Sequence, residues 1–261
     1  MLDQSFSWAV LIVLGVVTGV LAALLGIGGG LLMVPALTVL GVPLVEATAT
    51  SLVAVFLSAV SGSWQNLQMG VLDWRTALGL ALFGIVTAQA GAWLGDRLPD
   101  AALSIAFAGF LVLTLYLMVL KQQLQQKSMA LSPPARRTDQ LWAIAAIGTL
   151  AGGLAGLFGV GGGMVMVPLQ MLFLGEPIKS AVRTSLGAIV AIAASGLVQH
   201  SLNQNVLWIP GLCLGGGGIL GAQLGSRLLP RLSDRTVNRL FRLFLLGMTL
   251  YMLMRGLLKL F

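Results

Sequence analysis

The chain has 261 residues, 57% of them apolar and 9% charged, with a formal net charge of +7. Soluble domains carry roughly 25% charged residues, so a soluble enzyme or nucleic-acid-binding domain is excluded, and the excess charge reads as basic residues gathered on one membrane face. A single cysteine, Cys213, and a single histidine, His200, exclude an intrachain disulfide and a cysteine or histidine metal cluster.

Apolar segments are predicted at residues 7–25, 30–41, 47–66, 75–94 and 101–120, then at 141–157, 163–174, 182–201, 206–225 and 238–258. Most approach or exceed the roughly 18 residues that a helix needs to cross a hydrocarbon core. Only Asp3 precedes the first segment as a charge, so it reads as a retained helix rather than a cleaved signal. The second segment of each set is too short to cross comfortably, and it follows a glycine cluster.

The two sets are copies. GVLAALLGIGGGLLMVP (Gly19 to Pro35) returns as GGLAGLFGVGGGMVMVP (Gly152 to Pro168), and GVPLVEATATSL (Gly41 to Leu52) returns as GEPIKSAVRTSL (Gly175 to Leu186). GAWLGDRL from Gly91 and TLYLM from Thr114 return as GAQLGSRL from Gly221 and TLYMLM from Thr249. The domain reading is therefore a first transmembrane repeat over 1–120, a basic linker over 121–140 and a second repeat over 141–261.

Charge placement decides how each glycine break is traversed. If the chain passes straight through, the 15 basic residues divide seven against eight. If it turns back at each break, Arg75, Lys121, Lys127, Arg136, Arg137, Lys179, Arg183, Arg227, Arg231, Arg235, Arg239 and Arg242 share one side, against Arg97, Arg255 and Lys259. Twelve against three is the bias expected of cytoplasmic loops. The fold class expected is thus all-α and polytopic, with two inverted-topology repeats, each a glycine-broken hairpin plus three transmembrane helices. Both termini then face outward, and the linker is cytoplasmic. Paired interruptions in matching halves are the usual mark of a transporter's binding site near the midplane.

Three consecutive glycines cost roughly 1 kcal/mol each in a helix relative to alanine. Their use at Gly28, Gly29 and Gly30 and at Gly161, Gly162 and Gly163 is expected to lie in positive-φ turns and exposed N–H groups. A half-helix starting there presents unpaired N–H groups and a positive dipole end, which suit a small anion. Thr50 and Ser51, matched by Thr184 and Ser185, add hydroxyl donors. Gln65, Gln199, His200 and Arg183 are accessory candidates, with His200 expected to be solvated at its helix end. The pairs Gly15 and Gly19, Gly91 and Gly95, Gly148 and Gly152, and Gly221 and Gly225 read instead as close-packing positions. GIGGG lacks the spacing of a dinucleotide-binding loop, so no cofactor and no metal are expected. Every acid lies at a predicted end or loop, which disfavours proton coupling through a buried carboxylate.

At these motifs the chain resembles the TauE/SafE family of sulfite and organosulfonate exporters. The shared features are GxGGGxxxVP in both halves (Gly26 to Pro35, Gly159 to Pro168), the TSL tripeptides at Thr50 and Thr184, and the duplication. The resemblance implies export of a small sulfur-containing oxyanion such as sulfite, thiosulfate or an organosulfonate. The partners expected are that anion and membrane lipid, with no nucleic acid, in a bacterial inner membrane. A structural or assembly subunit and an intramembrane enzyme are the alternatives. The enzyme would need a nucleophile–base pair or paired acids within the membrane, and none is visible.

Overall fold

The computed structural model describes residues 8–26, 28–99, 101–109, 112, 115–116 and 137–258. The linker over 121–136 lies outside them. All regular structure in the described residues is helical: α1 (Trp8–Leu25), α2 (Gly30–Val39), α3 (Leu44–Gln68), α4 (Trp74–Gly95), α5 (101–109), α6 (Arg137–Phe158), α7 (Gly163–Leu169), α8 (Ile178–Leu202), α9 (Trp208–Leu228) and α10 (Asp234–Leu258). A π-helical turn (Gln170–Leu174) extends α7, and a 3-10 turn (Leu229–Arg231) follows α9. Five helices among the described residues are long and apolar enough to cross a membrane, namely α1, α3, α4, α6 and α8, while α2 and α7 are shorter. The last four residues of the expected linker already belong to α6.

The distribution of side chains is that of a chain dissolved in lipid. Leu78, Leu82 and Val86 stand exposed along α4, as do Ile209, Leu212, Leu220 and Leu224 along α9, while Thr18, Thr50, Ser51, Ser58 and Ser185 are wholly buried. Trp8, Trp64, Trp74, Trp93, Trp142 and Trp208 are all exposed near helix ends, where interfacial aromatics belong. Asp73 starts α4 by accepting from the backbone N–H groups of Arg75 and Thr76 at 3.1 and 3.2 Å, the usual remedy for unpaired donors at a helix start.

Glycines set the helix contacts. Gly15 of α1 meets Leu214 and Gly217 of α9, Gly19 meets Gly218, and Gly225 meets Val20. At a second contact between the repeats, Gly148 of α6 meets Leu80 of α4, Gly152 meets Gly84, and Gly156 meets Ala88. At most of these positions an added Cβ would strike a backbone atom of the neighbouring helix. The close-packing expectation for the spaced glycine pairs therefore holds.

The same contacts fix direction. Residue numbers rise together along α1 and α9, so these helices are parallel. α3 also runs with α9, because Val53 lies beside Gly211, Leu57 beside Gly215 and Gly62 beside Ala222. Two successive long helices, α1 and α3, thus point the same way, and α2 is the segment that brings the chain back between them. α4, α6 and α8 form the corresponding parallel set, with Ala77 beside Gly187 and Ile192 beside Gly84. α3 and α8 are antiparallel, with Leu52 beside Gly196 and Leu186 beside Gly62. Equivalent serines tie the halves together: Ser61 donates to Ile219 O (2.9 Å) and Ser195 to Ile85 O (2.7 Å).

α2 runs through Pro35 to Val39, whereas α7 gives way to the π turn two residues after Pro168. The carbonyl that loses its donor to Pro35 is that of Leu31, four residues back. Separately, Thr38 donates to Pro35 O at 2.7 Å, and the Tyr251 hydroxyl of α10 approaches the same oxygen at 3.4 Å.

Candidate functional site

Each glycine cluster builds the same turn. Gly26, Gly28 and Gly29 have φ of 70°, 74° and 87°, and Gly159, Gly161 and Gly162 have 68°, 78° and 77°. Such angles strain any residue with a Cβ. Gly29 and Gly162 are the left-handed N-caps of α2 and α7, and neither has a side-chain cap. Leu32 N and Val165 N bond to the cap carbonyls at 3.2 and 3.1 Å. The N–H groups just before them, at the first helical residues, have no partner within the helix.

Gly30 and Gly163 serve a different purpose from the one expected of them. Neither has positive φ; each is the first helical residue and lies where the two turns touch. A Cβ on Gly30 would strike the Gly159 carbonyl, and one on Gly163 would strike the Gly26 carbonyl. The contact is reciprocal, and only glycine fits on either side of it.

Two helix faces enclose this junction. Along α3, Thr48 and Ser51 press on Gly159, and Val55 presses on Gly28 and Gly30. Along α8, Val182 presses on Gly26, and Ile189 presses on Gly28 and Gly163. Ser185 lies between these last two on the same face, at a spacing of three and four residues. Ser51 and Ser185 are wholly buried beside the junction.

Their hydrogen bonds differ. Ser51 Oγ donates toward two carbonyls, Thr48 O at 2.7 Å and Gly159 O at 2.9 Å, the second across the junction from the other half. Ser185 Oγ instead accepts from Gln170 Nε2 at 2.8 Å. Gln170 is wholly buried, and its Oε1 has no hydrogen-bond partner among the described residues.

The other candidates are placed as follows. Thr50 is buried, and its hydroxyl accepts from Leu207 N at 3.0 Å, where it caps the start of α9. Thr184 is buried next to Ser185. Gln65 and Gln199 are half-buried far along their helices, and Gln199 donates to Asn203 at 3.3 Å. Arg183 is half-buried, and its Nε has no partner among the described residues. His200 is not solvated: it is 1% exposed, with Nε2 3.0 Å from Gly156 O. The ring lies against the backbone carbonyl that Gly156 of α6 presents.

Gln170 was missed by comparing motifs alone. Its signal lay in a length difference. Gly41 follows Pro35 by six positions, but Gly175 follows Pro168 by seven. The additional residue is absorbed in the π turn Gln170–Leu174, as single insertions into helices commonly are, often at functional sites.

The family described as "Sulfite exporter TauE/SafE" matches residues 11–252. The chain belongs to the TauE/SafE family. Among curated relatives, "Probable membrane transporter protein YunE" of Bacillus subtilis is 27% identical over 259 residues, covering 92% of this chain and 95% of that one. A "Probable membrane transporter protein" of Xylella fastidiosa is 29% identical, covering 93% of both chains. "Probable membrane transporter protein MJ0441" of Methanocaldococcus jannaschii is 30% identical over 197 residues, covering 73% of this chain and 71% of its own. No solved structure matches. This TauE/SafE protein is a multi-pass membrane transporter and not an enzyme.

Proposed function

We propose that the transporter exports a small sulfur-containing oxyanion, sulfite or an organosulfonate, across the bacterial inner membrane, from a site at the junction of the two glycine turns. The observation that carries this reading is the junction itself. Two turns built on positive-φ glycines meet between buried serines, at the starts of helices whose first N–H groups lack helical partners. Such backbone favours negative charge. Gly28, Gly29, Gly30, Gly161, Gly162 and Gly163 supply the backbone, and Ser185 and Thr184 the hydroxyl donors. Sulfur chemistry comes from the family description.

The two halves enter the membrane in opposite senses in this reading, so that rocking one against the other exposes the junction to each side in turn. The parallel run of α3 with α9, the antiparallel run of α3 against α8, and the twelve-to-three division of basic residues support it. Export needs no proton partner, because a cytoplasm-negative potential drives each exported negative charge by about 2.3 kcal/mol per 100 mV.

The test uses purified protein in proteoliposomes with a potassium–valinomycin potential and no pH gradient. Sulfite flux that follows the imposed potential is expected. Folded protein that moves no sulfur oxyanion would overturn the substrate; flux that follows a pH gradient alone would overturn the energetics.

A further inference from the structure

The two serines at the junction are equivalent by sequence and inequivalent by chemistry. Ser51 directs its hydroxyl at backbone carbonyls. Ser185 is held as an acceptor by Gln170 Nε2, so its own O–H proton remains to be given. The residue matching Gln170 in the first half is Leu37, two positions after Pro35 as Gln170 is two after Pro168. The amide is therefore an asymmetric addition to a duplicated frame, and it stands at the first position of the π turn that the extra residue creates.

Position ties the pair to the junction. Gly26 is flanked by a Val167 methyl and by Val182, with a Cβ on Gly26 falling 3.1 Å from the first and 2.8 Å from Val182 Cα. Gln170 is one turn on from Val167 along the same face of its helix, and Ser185 is one turn on from Val182. The 2.8 Å hydrogen bond joins Gln170 to Ser185, so the pair lies within one helical turn of the two residues that flank Gly26.

A wholly buried amide oxygen without a partner is costly unless something arrives to satisfy it. What would satisfy Gln170 Oε1 is a hydrogen-bond donor, yet the backbone of the junction and the Ser185 proton call for an acceptor. A single ligand meets both demands if it is an anion that also carries an X–H group: a hydrogen-sulfite-like oxyanion, or a sulfonate with a hydroxyl or amino substituent.

We propose that Gln170 is a specificity-determining residue, orienting Ser185 through Nε2 and accepting from the substrate through Oε1, so that donor-bearing anions are preferred over anions of the same charge and shape that lack a donor. This rests on the transport reading above. A site built to pair a substrate O–H discriminates strongly against the analogue without it, because the protein group is left unpaired.

Competition against sulfite flux in proteoliposomes tests it, with hydroxyethanesulfonate and propanesulfonate as the probes, which differ in a hydroxyl for a methyl at equal charge. Wild-type protein is expected to be inhibited by hydroxyethanesulfonate at a concentration lower by roughly tenfold or more. Gln170→Leu, which installs the first half's residue, is expected to lower sulfite flux and, in the flux that remains, to lose the preference through weaker inhibition by hydroxyethanesulfonate. Equal potency of the two sulfonates on wild-type protein would overturn the proposal without needing any variant. So would a Gln170→Leu protein that keeps the preference, or one weakened equally toward both probes, since that is the pattern of a plain anion donor. Absence of sulfite flux in folded wild-type protein would instead remove the transport reading, and this proposal with it.

Discussion

Gly29 and Gly162 hold the same conformation in different surroundings, and substitutions should separate the two effects. A Cβ on Gly29 would find its nearest atoms at 3.3 Å, whereas one on Gly162 would lie 2.6 Å from the Ala151 carbonyl oxygen. Left-handed backbone costs a residue with a Cβ roughly 1–2 kcal/mol. Gly29→Ala is therefore expected to lose about that much stability, and Gly162→Ala distinctly more, as read from thermal unfolding midpoints in detergent. Equal midpoints would mean that the carbonyl yields freely. Thr50 poses a different question, because its hydroxyl is occupied with Leu207 N. Thr50→Val should cost about 1 kcal/mol, the typical net value of one hydrogen bond, while sulfite flux per folded molecule stays unchanged. A protein that is stable but inactive would make Thr50 a ligand for substrate.

Helix pairing in this fold depends on glycines whose positions differ by a single residue from ones that carry nothing. On α9, Gly216 faces open space, whereas a Cβ on Gly217 would meet the Ile12 carbonyl of α1. Gly216→Ala is expected to be neutral or stabilising by up to about 1 kcal/mol, from helix propensity alone. Gly217→Ala should force α1 and α9 apart and reduce the folded fraction seen by size-exclusion chromatography. The reverse order would show that the α1–α9 contact is not limiting. The short helices also differ beyond their prolines. α2 runs on to Val39, with Thr38 and Tyr251 on the Pro35 carbonyl, while α7 meets its extra residue with a π turn that carries Gln170.

Taken together, the helix directions make a statement about the membrane that labelling can check. α3 and α9 are parallel, so the loop at Gly70 and the loop at Leu232 emerge on one side, and the loops near Leu98 and Gln204 on the other. In a Cys213→Ala background, single cysteines at positions 70 and 232 should react from the cytoplasm, and those at 98 and 204 from outside. Labelling of 70 and 232 from opposite sides would reject the hairpin reading of the charge pattern. Arg75 and the arginines from Arg227 to Arg242 flank the first pair of loops in the chain, whereas Arg97 belongs with the second pair and stacks on Trp93 at 3.6 Å.

The sequence by itself determined the membrane class, the duplication, the two glycine turns and the return of the chain at each. These are written in composition, in repeated strings and in where basic residues fall, and the physical rules behind them act locally or on averages. It also set the glycine clusters apart from the spaced packing pairs, because three in a row cannot be explained by one helix face, but it assigned turning to Gly30 and Gly163, which pack instead. Only the tertiary structure decided what each polar side chain does. Ser51 and Gly159 are 108 positions apart, and whether a hydroxyl meets a carbonyl, an amide or an approaching ligand depends on the rotation of each helix against its neighbours. Thr50 and Ser51 are adjacent in sequence, yet one caps α9 and the other braces the opposite turn. His200 was expected in solvent and is buried, with Nε2 against the Gly156 carbonyl of α6. Gln170 matters through its partner Ser185 and through an unpaired oxygen. A repeat specifies where two halves match; packing between them decides where they differ.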